Sequence, residues 1–327
     1  MKSLAKTLCR ALALATAAVL CTPTIAQTFP TKSVRLVVPT AAGGPVDGVA
    51  RGLADRLSKI WKQTVVVDNR PGGNEIIGGD VAAKAPADGY TILFGTDGTF
   101  SNNKFMFSKM PFDPFADLIP ITRTTFIHMV FIVPGTLPVN NLKEFVALIK
   151  ANPGKYAYAS GGIGSATHIY FNAFLLRYGL EMTHVPYQGI APAVQGMLNG
   201  SVVAFMAGAT AATPYVPSGK MKILAIDGDK RAKSIPNVPT LAEAGFPDSE
   251  MYLYLGLAVP NGTPRPVIDE IAAAHRKVLN DREFVEKVLD TFAFEPITET
   301  PEQFAAFLVK ERAKKEKDIR DANVKLD

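Results

Sequence analysis

A short apolar run, a loop of small residues and a stripe of helical period follow one another repeatedly along this chain, and that order leaves few architectures open. Val34 to Pro39 reads as a buried strand and Thr40 to Pro45 as a tight loop. Val46, Val49, Ala50, Leu53, Ala54 and Leu57 then fall at i, i+3, i+4, i+7, i+8 and i+11, one face of a 3.6-residue period. Val65 to Val67 and Tyr90 to Phe94 are further strands, with a small-residue helix from Ile76 to Ala85 between them. The second half repeats the pattern: a helix from Leu142 to Ala151, a strand from Tyr156 to Ser160, a Gly161 to Ser165 loop and a helix to Tyr178. Strands at Thr183 to Pro186, Val202 to Met206 and Lys222 to Ala225 follow. Strands alternating with helices over short loops predict an α/β fold with mostly parallel sheets flanked by helices.

A chain of 327 residues exceeds what one hydrophobic core usually spans, so two lobes are expected. Two long apolar stretches, Ile127 to Val133 and Met251 to Val259, are the expected crossings between them. That divides the chain into a first lobe over 27–125, a second over 126–250, and a return to the first lobe over 251–327 with the C-terminal helices. In the return, Val267, Ile268, Ile271, Ala272, His275, Val278 and Leu279 share one helix face, which makes His275 a packed residue. The final helix, from Pro301, docks through Phe304, Phe307 and Leu308, and its Lys310 to Arg320 part reads as a solvated face laced by i,i+4 ion pairs.

Lys2, Lys6 and Arg10 precede an apolar run from Ala11 to Leu20 and then Thr24-Ile25-Ala26, the pattern of a secretory signal peptide over 1–26 cleaved near Ala26. The run is shorter than the roughly 20 residues that span a bilayer, and Leu20 before Cys21 is the wrong residue for a lipid anchor. The expected location is therefore the periplasm. Both cysteines, Cys9 and Cys21, lie in the leader, so no disulfide holds the exported chain. Removing the leader takes away three of the 35 basic residues and none of the 30 acidic ones, which leaves no basic footprint for nucleic acid.

Three loops at strand ends are rich in Gly, Ala, Ser or Thr and open into helices: Thr40 to Pro45, Gly95 to Thr99 with Thr96 and Asp97, and Ser160 to Ser165. Ligands of open α/β sheets bind at that edge, where unpaired N–H groups and about half a positive charge favour an anion. Gly43-Gly44 lacks dinucleotide spacing and no phosphate-binding G-x-x-x-x-G-K motif occurs, so no nucleotide is inferred. The four histidines, His128, His168, His184 and His275, have no zinc-ligand spacing, and no metal or other cofactor is expected. Ser165 and His168 raise the alternative of an envelope hydrolase, but a nucleophile and base within one helical turn, without a G-x-S-x-G elbow, make a poor triad. The same two residues with Thr167 read equally as anion donors or as a helix cap. Pro186 and Gly189 place Tyr187 in a loop.

These loops belong to longer runs: Pro30-Thr31-Lys32, Val34 to Pro39, Ala42-Gly43-Gly44-Pro45-Val46-Asp47, Val67 to Gly72, Ala85 to Tyr90, Asn152 to Lys155, Ser160-Gly161-Gly162, Gly164-Ser165, Thr183 to Gly189, Pro236 to Gly245 and Ala258 to Pro264. In that order they resemble the extracytoplasmic solute receptors of tripartite tricarboxylate transporters, the Bug-type substrate-binding proteins, over essentially the whole exported chain. The resemblance implies a two-lobed periplasmic-binding-protein fold of the Venus-flytrap kind. It further implies capture of a carboxylated metabolite, delivery to a membrane permease and no catalysis; dicarboxylate, tricarboxylate and aromatic acid all remain open, a monomer is expected, and a receptor signalling to a sensor protein is the alternative partner reading. By the same resemblance, Thr40, Ala41, Ala42, Gly43, Gly44 and Asp47 grip one carboxylate. Ser160, Gly161, Gly162, Gly164, Ser165, Thr167, His168 and Tyr187 form the facing grip, with Ala207 and Thr210 beside it. Three departures stand out: Thr40 where an apolar residue is common, Ala207-Gly208-Ala209-Thr210 where an Asp is frequent, and Pro71-Gly72-Gly73-Asn74-Glu75, which brings an acid into a glycine-rich turn.

Overall fold

The computed structural model describes residues 29–228, 230–247, 253–321 and 324–326. The expected leader and both cysteines lie outside the described residues, as do the first two residues of the stretch expected from Met251.

Two sheets organise the chain from Lys32 onward. In the first, β1 (Val34–Val38) lies between β2 (Val65–Asn69) and β3 (Thr91–Thr96), parallel to both. The long strand β4 (Leu118–Ile127) enters beyond them, and the order runs β11-β4-β10-β3-β1-β2 with β10 at Leu253–Pro260 and β11 at Phe294–Pro296. The second sheet has β5 (Met129–Pro134), β6 (Ala157–Ser160), β7 (Thr183–Pro186), β8 (Ala204–Gly208) and β9 (Met221–Ile226) in the order β7-β6-β8-β5-β9. Both sheets are mixed, which corrects the expectation of mostly parallel ones: β10 is antiparallel to β3 and β4, and β5 to β8 and β9. A strand that leaves one lobe for the other has no crossover helix to reverse it, so it pairs antiparallel with its neighbours. β4 is absent from the sequence reading because Pro120 and a Thr-rich, Arg-containing stretch hide its burial.

The first crossing is a single residue, His128, between β4 and β5. Its ring lies between carboxylates from both sheets, with Nδ1 3.5 Å from Asp227 Oδ1 and Nε2 3.3 Å from Glu295 Oε1. The return strand β10 pairs Leu253 with Ile127, so both passages share one edge.

Helices cover the sheets as the stripes predict. α1 (Pro45–Trp61) buries Val49, Ala50, Leu53, Ala54 and Leu57, and α2 (Ile76–Ala83) packs Gly78 against Pro39 at the end of β1. A π-helical stretch, Gly98–Asn102, runs on into α3 (Asn103–Met106). In the second lobe, α4 (Leu142–Lys150) and α5 (Ala166–Tyr178) enclose an aromatic centre on one face of the sheet, and α6 (Ile190–Leu198) covers the other face. In the aromatic centre Phe131 meets Phe145, Phe171 and Phe174 at ring separations of 4.9, 5.2 and 5.3 Å.

His275 of α7 (Arg265–Leu279) is 1% exposed, with Nε2 2.9 Å from Thr124 Oγ1, and burial pushes its pKa down to about 3. It is neutral when folded and charges when unfolded, so its contribution is complete above about pH 6.5 and is lost as the pH falls toward 3. By pH 5 the loss reaches about 2 kcal/mol. In urea titrations the stability of wild type relative to His275→Gln is therefore expected to be lower at pH 5 than at pH 7 by about that amount; an unchanged difference would contradict the assignment.

The last helix, α8 (Pro301–Asp321), departs from expectation. Phe304 and Leu308 dock as predicted, but Glu311 and Lys315, assigned to a solvated face, are only 3% and 2% exposed. The outer pairs of this helix, among them Lys317 with Asp321, are solvent-facing.

Candidate functional site

In the first lobe the β1 loop is fastened by Asp47 in the first turn of α1, where the helix dipole favours an acid. Its Oδ2 accepts the Gly43 N–H at 2.8 Å and Arg51 Nε–H at 2.9 Å, while Oδ1 accepts Asn69 Nδ2–H at 3.0 Å. Asn69 also donates to Thr40 O at 3.2 Å. Burial opposes the charge of Asp47, but the hydrogen bonds from Arg51, Gly43 and Asn69 outweigh it and hold the carboxyl below its ordinary pKa. The loop bends through Gly43 at φ +85°, a left-handed conformation that favours glycine. Asp47 thus acts on the loop from beneath, and the exposed part is Ala41 to Gly43. Among the described residues, the amides of Ala41 and Ala42 and the buried Thr40 hydroxyl have no hydrogen-bond partner.

The β3 loop is arranged differently. Thr96 and Thr99 donate their hydroxyls to Glu75 Oε2 at 2.7 and 2.5 Å. Asp97 is 1% exposed, and its Oδ2 accepts Asn102 Nδ2–H at 2.8 Å, the Tyr170 hydroxyl at 2.6 Å and Lys315 Nζ at 3.1 Å. Asp97, expected to meet a ligand, is committed to the interior because α8 brings a buried lysine against it.

In the second lobe Ser165 is the N-cap of α5: its Oγ accepts the His168 N–H at 3.3 Å and donates to Gly162 O at 2.7 Å. Gly161 donates to Thr167 Oγ1, Gly162 to Ser160 Oγ and Gly164 to His168 Nδ1 at 2.8, 3.1 and 3.2 Å. The expectation that this loop presents those amides to a ligand is corrected, because its own Ser, Thr and His side chains satisfy them. His168 stacks on His184 at 4.0 Å, and burial, with the neighbouring imidazole, pushes its pKa down to about 4. With Nδ1 accepting from Gly164, the neutral ring carries its proton on Nε2. Because neither the Ser165 hydroxyl nor Nδ1 is directed to the other, Ser165 and His168 do not form a nucleophile–base pair.

Tyr187 donates its N–H to Ser160 O at 3.0 Å, and its ring lies so close to Gly196 of α6 that no Cβ fits there. Ala207 is fully buried in the core of the second sheet, opposite Val130, and does not line an open surface; Thr210 is exposed beyond β8. The β3 loop is tied to the second lobe by side-chain contacts. Asp97, one residue after β3, bonds Tyr170 of α5, Lys315 bonds both, and Leu326 donates to Met106 O while packing over Gly164. A crevice of about 410 Å³ beside His128, lined by Arg123, Phe126, Lys230 and Glu295 among others, shares none of these loop residues.

Sequence reasoning gave no role to Asn69 or Lys315, and it flagged Glu75 as an unusual acid without a partner. For Lys315 a signal existed: Phe304, Leu308, Glu311, Lys315 and Ile319 continue one stripe at spacings of three and four, so the two charged residues occupy core positions.

Two α/β lobes joined by short passages, with small-residue loops opening into helices at their strand ends, define a two-lobed solute receptor of the periplasmic-binding kind. Residues 49–324 match the profile of the tripartite tricarboxylate transporter family receptor, TctC. Protein BugT of Bordetella pertussis is 32% identical over 305 residues, covering 93% of each chain. Among solved structures, the periplasmic binding protein BugD is 32% identical with a TM-score of 0.75, covering 91% of this chain and 99% of its own. The R. palustris protein Rpa4515, solved with adipate, is 31% identical with a TM-score of 0.78, covering 90% and 98%. The chain belongs to the tripartite tricarboxylate transporter receptor family.

Proposed function

We propose that this protein is a periplasmic, monomeric receptor that captures an organic carboxylate between its lobes and hands it to a membrane permease of a tripartite transporter, without chemical change. The observation that carries the reading is the fastened β1 loop, whose Ala41 and Ala42 amides stay unpaired beside the Thr40 hydroxyl while Asp47 holds the turn. Backbone amides in a short turn are a ready anion grip. Thr167 and His168 of α5, with the Tyr187 loop and Thr210, supply the opposing side. Rpa4515 was solved with adipate, which supports a carboxylate as the class. The capped state of Ser165 and the lowered basicity of His168 argue against the hydrolase alternative. No observation favours a sensor protein over a permease as the partner.

A thermal-shift screen of mono-, di- and tricarboxylates, followed by calorimetry, tests the proposal. A true ligand at one hundred times its Kd stabilises the folded state by about 2.7 kcal/mol. A panel in which no acid shifts the transition would overturn it.

A further inference from the structure

Glu75 stands at the N-cap of α2, yet its side chain makes no bond to that helix. It turns to the β3 loop, where Oε2 receives the hydroxyls of the buried Thr96 and Thr99, and Thr96 Oγ1 in turn receives the Gly98 N–H at 3.0 Å. Asn74 and Glu75 reach this position through φ of +52° and +76°, two consecutive left-handed residues, neither of them glycine. Such conformations cost energy and persist where the surroundings impose them. We propose that Glu75 is a built-in carboxylate occupying the donor set that the β3 loop would offer to one carboxylate of a ligand, so that this receptor selects acids carrying a single carboxylate on that side of the cleft.

The inference rests on the carboxylate reading above and narrows it. Donors that converge on an anion favour one carboxylate, and a second placed beside it meets like-charge repulsion in a site of low dielectric. The charge that acts on Glu75 is another carboxylate, Asp97, and burial with that neighbour pushes its pKa up to about 7. A ligand whose one carboxylate lies at the Ala41–Ala42 turn avoids the conflict; a dicarboxylate reaching both turns does not. As the pH falls through 7, Glu75 takes up a proton and the penalty on dicarboxylates shrinks.

The test is calorimetry on the full exported chain with acids differing only by the second carboxyl: hexanoate against adipate, butyrate against succinate, and benzoate against terephthalate. Wild type, Glu75→Gln and Glu75→Gly are compared at pH 6 and pH 8. The glutamine keeps the side-chain shape, and the glycine fits the left-handed backbone, so at least one variant retains the fold. At pH 8, wild type is expected to favour the monocarboxylate of the pair it binds. Both folded variants are expected to move the ratio at least tenfold toward the dicarboxylate, and the pH dependence of the ratio disappears with the carboxyl. Equal wild-type affinities within the pair, or an unchanged ratio in the variants, would overturn the role of Glu75 and leave carboxylate binding standing. Absence of binding by any acid to any form would remove both.

Discussion

Asp47→Ala is expected to weaken carboxylate binding at least tenfold and to destabilise the folded chain by about 2–4 kcal/mol, since several charge-assisted bonds end on one buried carboxylate. Removing it leaves Gly43 N–H, Asn69 Nδ2 and the Arg51 guanidinium without their acceptor, and frees the loop to leave its left-handed bend at Gly43. Because the folded pKa is depressed, the stabilisation is present above the ordinary carboxyl range and is lost as the pH falls through the folded value. Urea unfolding at pH 7 and calorimetry with the best acid of the panel measure the two effects separately. A variant that loses stability yet binds with unchanged affinity would take the β1 loop out of the site.

Lys315→Met is expected to destabilise by about 3–5 kcal/mol, the range for breaking a buried ion pair from one side. Lys315 is 2% exposed, 3.1 Å from Asp97 Oδ2 and 3.7 Å from Glu311 Oε1, and it also bonds the Tyr170 hydroxyl. Without the cation two carboxylates face each other in the interior. Burial already pushes Glu311 up to about 7, against the pull of Lys315, and loss of the lysine raises it further. A group that binds protons more tightly when folded loses its contribution as the pH rises, so the variant is expected to be weaker at pH 8 than at pH 6. Adding Asp97→Asn to Lys315→Met removes one of the stranded charges and is expected to recover part of the loss. A single variant costing under about 1 kcal/mol would show that the network does not tie α8 to the lobes.

The legible parts of this molecule were those written in local period and turn chemistry. The stripe of α1, the strands flanking the Gly43 turn and the capping serine of α5 follow from neighbours within a few residues, and they stand where the spacing puts them. β4 was not legible, because its burial comes from β10 and β11, whose residues lie more than a hundred positions away. The same is true of the charges. Asp97 looked like a ligand contact and Lys315 like a surface residue, and each changes meaning because the other reaches it.

From its own order of residues, then, this chain determines two α/β halves, their strand-end turns and the family to which it belongs, since helical stripes and glycine bends act over short range. Tertiary contact alone decides which amides of those turns remain unpaired, that Glu75 crosses to Thr96 and Thr99, and that α8 carries a buried lysine. Hydrogen-bond satisfaction and desolvation are properties of what surrounds a group in space, and in this fold the surroundings come from distant segments.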